Sequence, residues 1–283
     1  MKGIIKLILR TIFFGTIALT IAMFWFDRYF SFSDDANMFT NEEKIEDVCP
    51  IDSNVALISI HGDIVTYFTE PSYSEETGNL DEASSEEIVK YIDGIEKDDN
   101  IKALILEIDS YGGYPVAAEE ITNALKKMTK PTIAVIRESA ASAAYFIATG
   151  ADKIYASEMS DVGGIGVTRS YLDYSEKNKN EGIIYQQLSS GKFKDSGDPD
   201  KELSKEEKEL FLRDVKIMYD IFVKRVAENR KLDIEKVKKL ADGSTMLGQA
   251  AKENGLIDEI GDLYSAEKWI GNELKIEPKI CVY

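Results

Sequence analysis

Strands and helices alternate along this chain between residues 55 and 156, and this alternation constrains the fold more than any other feature. Short apolar runs predict buried strands at 55–60, 101–108, 132–136 and 153–156. Helices are predicted from a capping box of Ser84 and Glu87 onward and over about 115–128, 140–149, 204–229, 233–241 and 245–253. Alternation of this kind indicates an α/β fold with a largely parallel sheet, followed here by a helical C-terminal part.

The first 26 residues have the pattern of a membrane anchor. Lys2, Lys6 and Arg10 precede an uncharged apolar run over 11–26, which approaches the length of a bilayer span when it is counted from residue 7. The run ends in aromatic residues, which suit a membrane interface, rather than in the small residues of a cleavage site. We therefore predict one uncleaved N-terminal transmembrane helix rather than a cleavable signal peptide. Its basic N-terminal flank predicts that the rest of the chain lies outside the cytoplasm.

The remaining sequence divides into a polar, acidic linker over 27–53 and one domain over 54–283. The formal charge of −17 repels phosphate backbones, so we do not expect nucleic acid as a partner. His61 is the only histidine, and neither cysteine belongs to a C-x-x-C pair, so no metal or cofactor is predicted. Cys49 and Cys281 are either two free thiols or, outside the cytoplasm, one disulfide.

Three loops carry residues that are able to perform chemistry. Gly112 and Gly113 allow a sharp turn and expose backbone N–H groups that suit an oxyanion. Ser142 lies among alanines at the start of a predicted helix, where small neighbours let a substrate backbone approach. Lys194 lies in a glycine-containing loop, and a lysine acts as a base for serine only when it is neutral. Taken alone, each loop is more typical of a plain strand-to-helix turn, a packed helix or a surface lysine than of a catalytic site.

Taken together, these loops resemble the signal peptide peptidase A family of Ser/Lys-dyad proteases. The resemblance covers about residues 54–265 and rests on the order and spacing of five motifs. The motifs are D-S-Y-G-G (109–113), E-S-A-A-S-A-A-Y (138–145), V-G-G-I-G-V (162–167), S-G-K-F-K (190–194) and G-Q-A-A-K-E-N-G-L-I-D-E-I-G (248–261). The resemblance implies the fold that Clp protease and crotonase share, and a homo-oligomer.

The resemblance also implies roles for individual residues. Ser142 matches the nucleophile and Lys194 matches the general base, with Lys192 as the weaker candidate for the base. The oxyanion hole would be formed by Gly112, Gly113 and the N–H of Ala143. The implied reaction is acyl transfer, in which neutral Lys194 takes the proton of Ser142 and the alkoxide attacks a peptide carbonyl. This chemistry needs no cofactor.

Three departures from the family pattern bear on activity. Tyr111 replaces the usual proline, and the pair Ala143–Ala144 replaces two glycines beside the nucleophile. Gly164 replaces a serine whose hydroxyl helps to hold the lysine in the family. Thr168 or Ser170 would be the substitutes for that hydroxyl.

The sequence thus predicts a serine endopeptidase that degrades membrane-released peptides such as cleaved signal peptides. Its place would be the inner (cytoplasmic) membrane of a bacterium, in a single pass, with the catalytic domain extracytoplasmic. Two alternatives stay open. A crotonase-like acyl-CoA enzyme would need neither Ser142 nor Lys194, and a catalytically impaired scaffold would follow from the changes at Ala143 and Gly164. For His61 we expect a structural or surface role.

Overall fold

A central β-sheet organises the computed structural model of the chain, which describes residues 50, 52–68 and 82–283. The strands are β1 (Val55–Val65), β2 (Glu82–Ser84), β3 (Ala103–Gly113), β4 (Thr132–Ala141), β5 (Lys153–Ala156), β6 (Asp161–Gly163), β7 (Thr245–Leu247), β8 (Glu259–Ile260) and β9 (Ile280–Val282). The helices are α1 (Ser85–Lys97), α2 (Pro115–Leu125), α3 (Ala143–Ala148), α4 (Ser175–Asn180), α5 (Lys205–Arg230), α6 (Ile234–Leu240), α7 (Gly248–Asn254) and α8 (Leu263–Leu274).

The sheet is largely parallel, which confirms the α/β fold predicted from the sequence. Its strands lie in the order β2-β1-β3-β4-β5-β8, and β9 pairs in parallel with the start of β1. Strand β6 continues the sheet beside the end of β4 and pairs in an antiparallel sense with β7. Parallel strands that are covered on both faces are apolar almost without interruption, which is why β1, β3 and β4 could be recognised from composition alone.

Helices cover both faces of the sheet and bury two hydrophobic clusters. Leu106 and Ile108 of β3 join the larger cluster, which packs under α1, α2 and α3. Ile105, on the opposite face of the same strand, packs with Val135 and with Ile270 of α8. Because successive side chains of a strand point to opposite faces, the apolar run of β3 supplies both clusters and fixes its register in the sheet.

The capping box predicted at Ser84 is wrong, although α1 does begin at the next residue. Ser84 makes no side-chain cap hydrogen bond. It is the buried last residue of β2, and its hydroxyl donates to the carbonyl oxygen of Thr66 at 3.3 Å. A buried hydroxyl needs a hydrogen-bond partner, and here the residue that follows β1 provides it. A capping box does form at Ser204 and Glu207, at the start of α5.

Two helix boundaries differ from prediction because strand pairing overrides local propensity. Strand β4 runs on to Ala141, past the predicted end at residue 136, because residues 139–141 pair with β6. The helix predicted over 140–149 therefore begins only at Ala143. The helix predicted over 245–253 begins at Gly248, since residues 245–247 form β7 against β6.

The predicted anchor over residues 1–26 and most of the linker lie outside the described residues. None of the helices within residues 50, 52–68 and 82–283 combines the length and the apolar composition that a bilayer-spanning helix needs. Cys281 is buried in β9 and is disulfide-bonded, so it is not the free thiol of the first alternative. Cys49 lies outside the described residues.

Candidate active site

Ser142 occupies a sharp turn between the end of β4 and the start of α3. Its backbone has φ of 53° and ψ of −121°, a region that residues other than glycine rarely adopt. The N–H of Ser142 donates to the carbonyl oxygen of Gly163 at 2.8 Å, and its carbonyl accepts the N–H of Phe146 at 3.0 Å. These two hydrogen bonds hold the strained backbone in place. A serine held at such a strand-to-helix turn presents its hydroxyl at the edge of the sheet, as in a nucleophile elbow.

Gly112, at the end of β3, lies directly against this turn. A Cβ atom on Gly112 would be 3.0 Å from Cβ of Ser142 and 3.1 Å from the backbone nitrogen of Ala143. Its φ of 120° is also unfavourable for a residue with a side chain. Ser110 holds the end of β3 in place. Its hydroxyl donates to the carbonyl oxygen of Gly62 in β1 at 2.6 Å and accepts the N–H of Gly112 at 3.0 Å. The N–H of Gly112 is therefore engaged, and this residue contributes shape rather than a free donor.

Two other N–H groups are candidates to donate hydrogen bonds to an oxyanion. Tyr114 donates its N–H to Ile64 of β1 at 2.8 Å. The N–H of Gly112 is engaged by Ser110, which leaves Gly113 as the other glycine of the pair. Ala143 is the first residue of α3, so its N–H has no partner within that helix. Gly113 and Ala143 are thus the donors that best suit the role predicted from the sequence.

We expect Gly113→Ala to distort the end of β3. A Cβ atom on Gly113 would lie 2.2 Å from the carbonyl oxygen and 2.6 Å from the nitrogen of Ile64, and these backbone atoms cannot move aside as a flexible side chain would. The free energy of unfolding should fall by about 1–3 kcal/mol, as in other overpacked sites, and activity should fall with it. Urea unfolding and peptide-ester hydrolysis measure the two effects.

Gly94→Ala in α1 is the matched control for this substitution. A Cβ atom there meets nothing within 4 Å. Alanine in a helix should raise the free energy of unfolding by about 0.5–1 kcal/mol, the opposite sign. Equal behaviour of the two variants would show that β3 does not need glycine at 113.

Gly164 also lies against Ser142, on the β6 side. Its φ is 58°, and a Cβ atom there would be 3.1 Å from the backbone nitrogen of Ser142. The same Cβ atom would be 3.5 Å from the methyl carbon of Thr245. The hydroxyls of Thr168 and Ser170, which the sequence proposed as substitutes, lie 3.1 Å from each other and are exposed. Neither contacts Lys194, so that substitution stays a prediction.

Lys194 lies in a turn on the exposed segment between β6 and α5. Its N–H donates to the carbonyl oxygen of Gly191 at 3.1 Å, and the N–H of Ser196 donates to that of Phe193 at 3.3 Å. The side chain of Lys194 is exposed, and its ammonium makes no hydrogen bond or ion pair with the residues that the structure describes. No hydrogen bond joins Lys194 to Ser142 among the residues that the structure describes. Lys192 differs, because its ammonium lies 3.2 Å from Glu206 Oε1.

His61 belongs to a polar cluster with Glu107 and Arg137 that spans three strands. Its Nε2 is 3.3 Å from Oε1 of Glu107, and Oε2 of Glu107 is 2.9 Å from Arg137 Nη1. The carboxylate of Glu107 is largely buried, and the guanidinium of Arg137 compensates its charge. No contact joins His61 to Ser142, and this supports a structural role for His61. Groups of three or more side chains able to hold a metal ion are absent from the described part of the chain.

Ser110 and Gly163 are the residues of the site that the sequence did not single out. Ser110 belongs to the D-S-Y-G-G motif, but its hydroxyl donates to Gly62 of β1, 48 residues earlier, which the motif alone does not reveal. Gly163 acts through its carbonyl oxygen, which any residue has. Only the pairing of β4 with β6 shows that this oxygen faces Ser142.

The sheet and the strand–serine–helix turn define an α/β fold of the Clp protease type. The family model of Clp protease matches residues 63–162. The model of peptidase family S49 matches residues 124–277, more than half of the chain. The chain belongs to peptidase family S49, and with it to the serine peptidases.

Curated relatives agree with this membership. A protein of Methanocaldococcus jannaschii named as a protease is 37% identical over 198 residues, which cover 69% of this chain and 64% of that protein. An Enterococcus faecium protein named as a signal peptide peptidase SppA is 38% identical over 189 residues, or 66% of this chain and 54% of the relative. A Synechocystis protein named as a protease is 31% identical over 206 residues, or 72% and 74%. The match thus spans less than two thirds of the first two relatives.

Proposed function

We propose that this chain is a serine endopeptidase that hydrolyses apolar peptides released at a membrane, such as cleaved signal peptides. One observation carries the proposal. Ser142 sits in a left-handed backbone conformation at the end of β4, with the glycine backbone of residue 112 packed against it. Proteins retain strain of this kind where it positions a reacting group. Membership of a peptidase family supports peptide hydrolysis as the reaction in which the Ser142 hydroxyl takes part.

The proposed reaction uses Ser142 as the nucleophile and Lys194 as the base. The neutral amine of Lys194 takes the proton of the Ser142 hydroxyl, and the alkoxide attacks the scissile carbonyl carbon. The oxyanion accepts hydrogen bonds from the N–H groups of Gly113 and Ala143. The C–N bond then breaks, and the leaving amine takes the proton from the ammonium of Lys194. Water, deprotonated by Lys194, hydrolyses the resulting ester and frees the serine.

The base is proposed to come from a neighbouring copy of the chain. Within the described part of one chain, Lys194 is exposed and makes no hydrogen bond with Ser142. The segment that carries it also exposes an unusual number of large apolar side chains, which are typical of an interaction surface. They are Tyr171, Leu172, Ile183, Ile184, Leu188 and Phe193. Leu188 is 96% exposed, and contact with a second copy in a homo-oligomer would bury its side chain.

Aromatic residues around the glycine pair support an apolar peptide as the substrate. Tyr111 and Tyr114 flank Gly112 and Gly113, and both are exposed. Tyr67 and Phe68 follow β1, the strand that pairs with the same glycines, and they are exposed as well. Aromatic surface beside a nucleophile suits extended apolar peptides, which bury it on binding. The buried alanines next to Ser142 favour small residues at the cleaved bond.

The membrane anchor and the extracytoplasmic location in a bacterium are proposals that rest on residues 1–26. We expect a protein that lacks these residues to remain in the supernatant after membranes are sedimented in high salt. The apolar run is confined to this segment, and the acidic remainder has little affinity for anionic lipid. A truncated protein that still sediments with membranes contradicts a single anchor.

Two assays separate this function from its alternatives. A fluorophosphonate probe should label the full-length protein, and an apolar peptide ester should be hydrolysed. A scaffold would react with neither reagent. A crotonase-like enzyme would turn over an acyl-CoA thioester and would do so without Ser142.

A further inference from the structure

We infer that Asp195 is a positioning residue for Lys194, because it fixes the turn from which the lysine side chain projects. The inference rests on the proposed function, in which Lys194 is the general base. It adds a partly buried polar cluster, formed by Tyr185, Asp195, Lys201 and Glu207, that the peptidase motifs do not include. We call this group the turn anchor.

The turn anchor is sheltered within an otherwise exposed segment. The side chain of Asp195 is 23% exposed and that of Lys201 is 17% exposed, whereas most side chains between residues 168 and 204 face solvent. The hydroxyl of Tyr185 donates to Asp195 Oδ2 at 2.7 Å. The ammonium of Lys201 lies 3.9 Å from the same oxygen. The carboxylate of Asp195 is therefore held from two directions.

Glu207 connects the turn anchor to helix α5. Lys201 Nζ donates to Glu207 Oε1 at 2.8 Å, and the other carboxylate oxygen accepts the N–H of Ser204 at 2.8 Å. The side chain of Glu207 is only 5% exposed. The ammonium of Lys201, together with the N–H of Ser204, lowers the pKa of Glu207 to about 2. Glu207 thus stays ionised at any pH suited to a peptidase assay.

A packing contact holds the same turn on its C-terminal side. Gly197 lies against the ring of Phe211 in α5, since a Cβ atom on Gly197 would be 3.1 Å from its Cζ. The guanidinium of Arg169 also lies over this ring, 3.7 Å from its centre. The backbone that follows Lys194 is therefore fixed to α5 at two points, Lys201 and Gly197.

The arrangement fixes the backbone of Lys194 while leaving its side chain free to reach outward. Asp195 is the next residue along the chain, and its side chain points into the anchor, whereas the side chain of Lys194 is exposed. A base must come within hydrogen-bond distance of the hydroxyl that it deprotonates. A displacement of about 1 Å is able to lower a rate by about 100-fold, so the direction of the turn matters.

A matched control lies on the other side of Lys194. Lys192 and Glu206 form an ion pair of 3.2 Å, but their side chains are 65% and 59% exposed. Exposed pairs of this kind contribute little to stability. Glu206→Gln therefore removes a charge contact near Lys194 without touching the turn anchor.

The experiment compares Asp195→Ala, Asp195→Asn and Glu206→Gln in the full-length protein. Hydrogen exchange of residues 191–197 reports on the turn, kcat and KM for a peptide ester report on catalysis, and size-exclusion chromatography reports on assembly. We expect Asp195→Ala to speed exchange and to lower kcat by about 10- to 100-fold, with KM within about twofold. Asp195→Asn keeps an acceptor for the Tyr185 hydroxyl, so its kcat should fall less than that of Asp195→Ala. Glu206→Gln should match the parent.

Several results would overturn the inference. Unchanged exchange in Asp195→Ala would show that the turn does not depend on this carboxylate. Faster exchange with an unchanged kcat would show that the turn does not position the base. A fall in kcat that appears only with loss of assembly would indicate a general structural role. If Lys194→Ala were as active as the parent, the proposed base itself would be wrong, which is distinguishable from failure at Asp195.

Discussion

Replacing Ser142 with alanine is expected to abolish peptidase activity. The loss in kcat should reach about 10⁴- to 10⁶-fold, as for other nucleophilic serines, because no second hydroxyl occupies the turn between β4 and α3. The fold should survive, since the hydrogen bonds that hold the turn come from the backbone of Ser142 and not from its side chain. Hydrolysis of an apolar peptide ester, with melting temperature as a check, measures both effects.

Ser139 provides the matched control for this substitution. It lies three residues earlier, at the end of the same strand, and its buried hydroxyl has no hydrogen-bond partner among the described residues. Ser139→Ala therefore removes an unsatisfied group and should leave activity and stability near those of the parent. If Ser139→Ala lost activity while Ser142→Ala retained it, the nucleophile would be Ser139 and the proposed site would be wrong.

Replacing Lys194 with alanine or arginine should have the second largest effect, about 10²- to 10⁴-fold on kcat. Arginine keeps the positive charge but does not lose its proton near neutral pH, so it cannot act as a base. Lys192→Ala and His61→Ala should each stay close to the parent, because Lys192 lies in an exposed ion pair and His61 pairs with Glu107. An active Lys194→Ala beside an inactive His61→Ala would replace the lysine mechanism with a histidine mechanism.

Mixing the two inactive variants tests where the lysine comes from. If neighbouring copies share the site, an assembly of Ser142→Ala and Lys194→Ala chains contains interfaces at which an intact serine meets an intact lysine. Part of the parent activity should then return. Mixed assemblies that form and remain inactive would place both groups in the same chain.

The sequence predicted the fold because its strands are distinctive. The apolar runs that became β1, β3 and β4 are buried on both faces and have few competing interpretations. The failures occurred where long-range pairing decides the structure. Residues 139–141 and 245–247 are strands only because β6 lies between them, and no local pattern announces that contact. The hydroxyl of Ser84 likewise makes a long-range hydrogen bond, to the carbonyl oxygen of Thr66, instead of capping α1.

The site was predictable where backbone geometry depends on residue type. A glycine pair and a serine between alanines indicate a tight approach of two loops, and Gly112 does pack against Ser142. The sequence could not show that Ser110 occupies the N–H of Gly112, because that depends on the position of one hydroxyl. It also could not show that Lys194 makes no hydrogen bond with Ser142 within the described part of one chain. That distance depends on the folding of the segment between β6 and α5, and on a neighbouring copy if one supplies the base.

The most direct test of the proposed mechanism is to locate the covalent adduct of a fluorophosphonate probe. Trypsin releases residues 138–153 of this chain as one peptide, which contains Ser139 and Ser142 as its only serines. We predict that fragment-ion masses place the adduct on Ser142 of the full-length protein and that Lys194→Ala reacts far more slowly. An adduct on Ser139, an adduct outside this peptide, or equal labelling of Lys194→Ala would contradict a peptidase in which Lys194 activates Ser142.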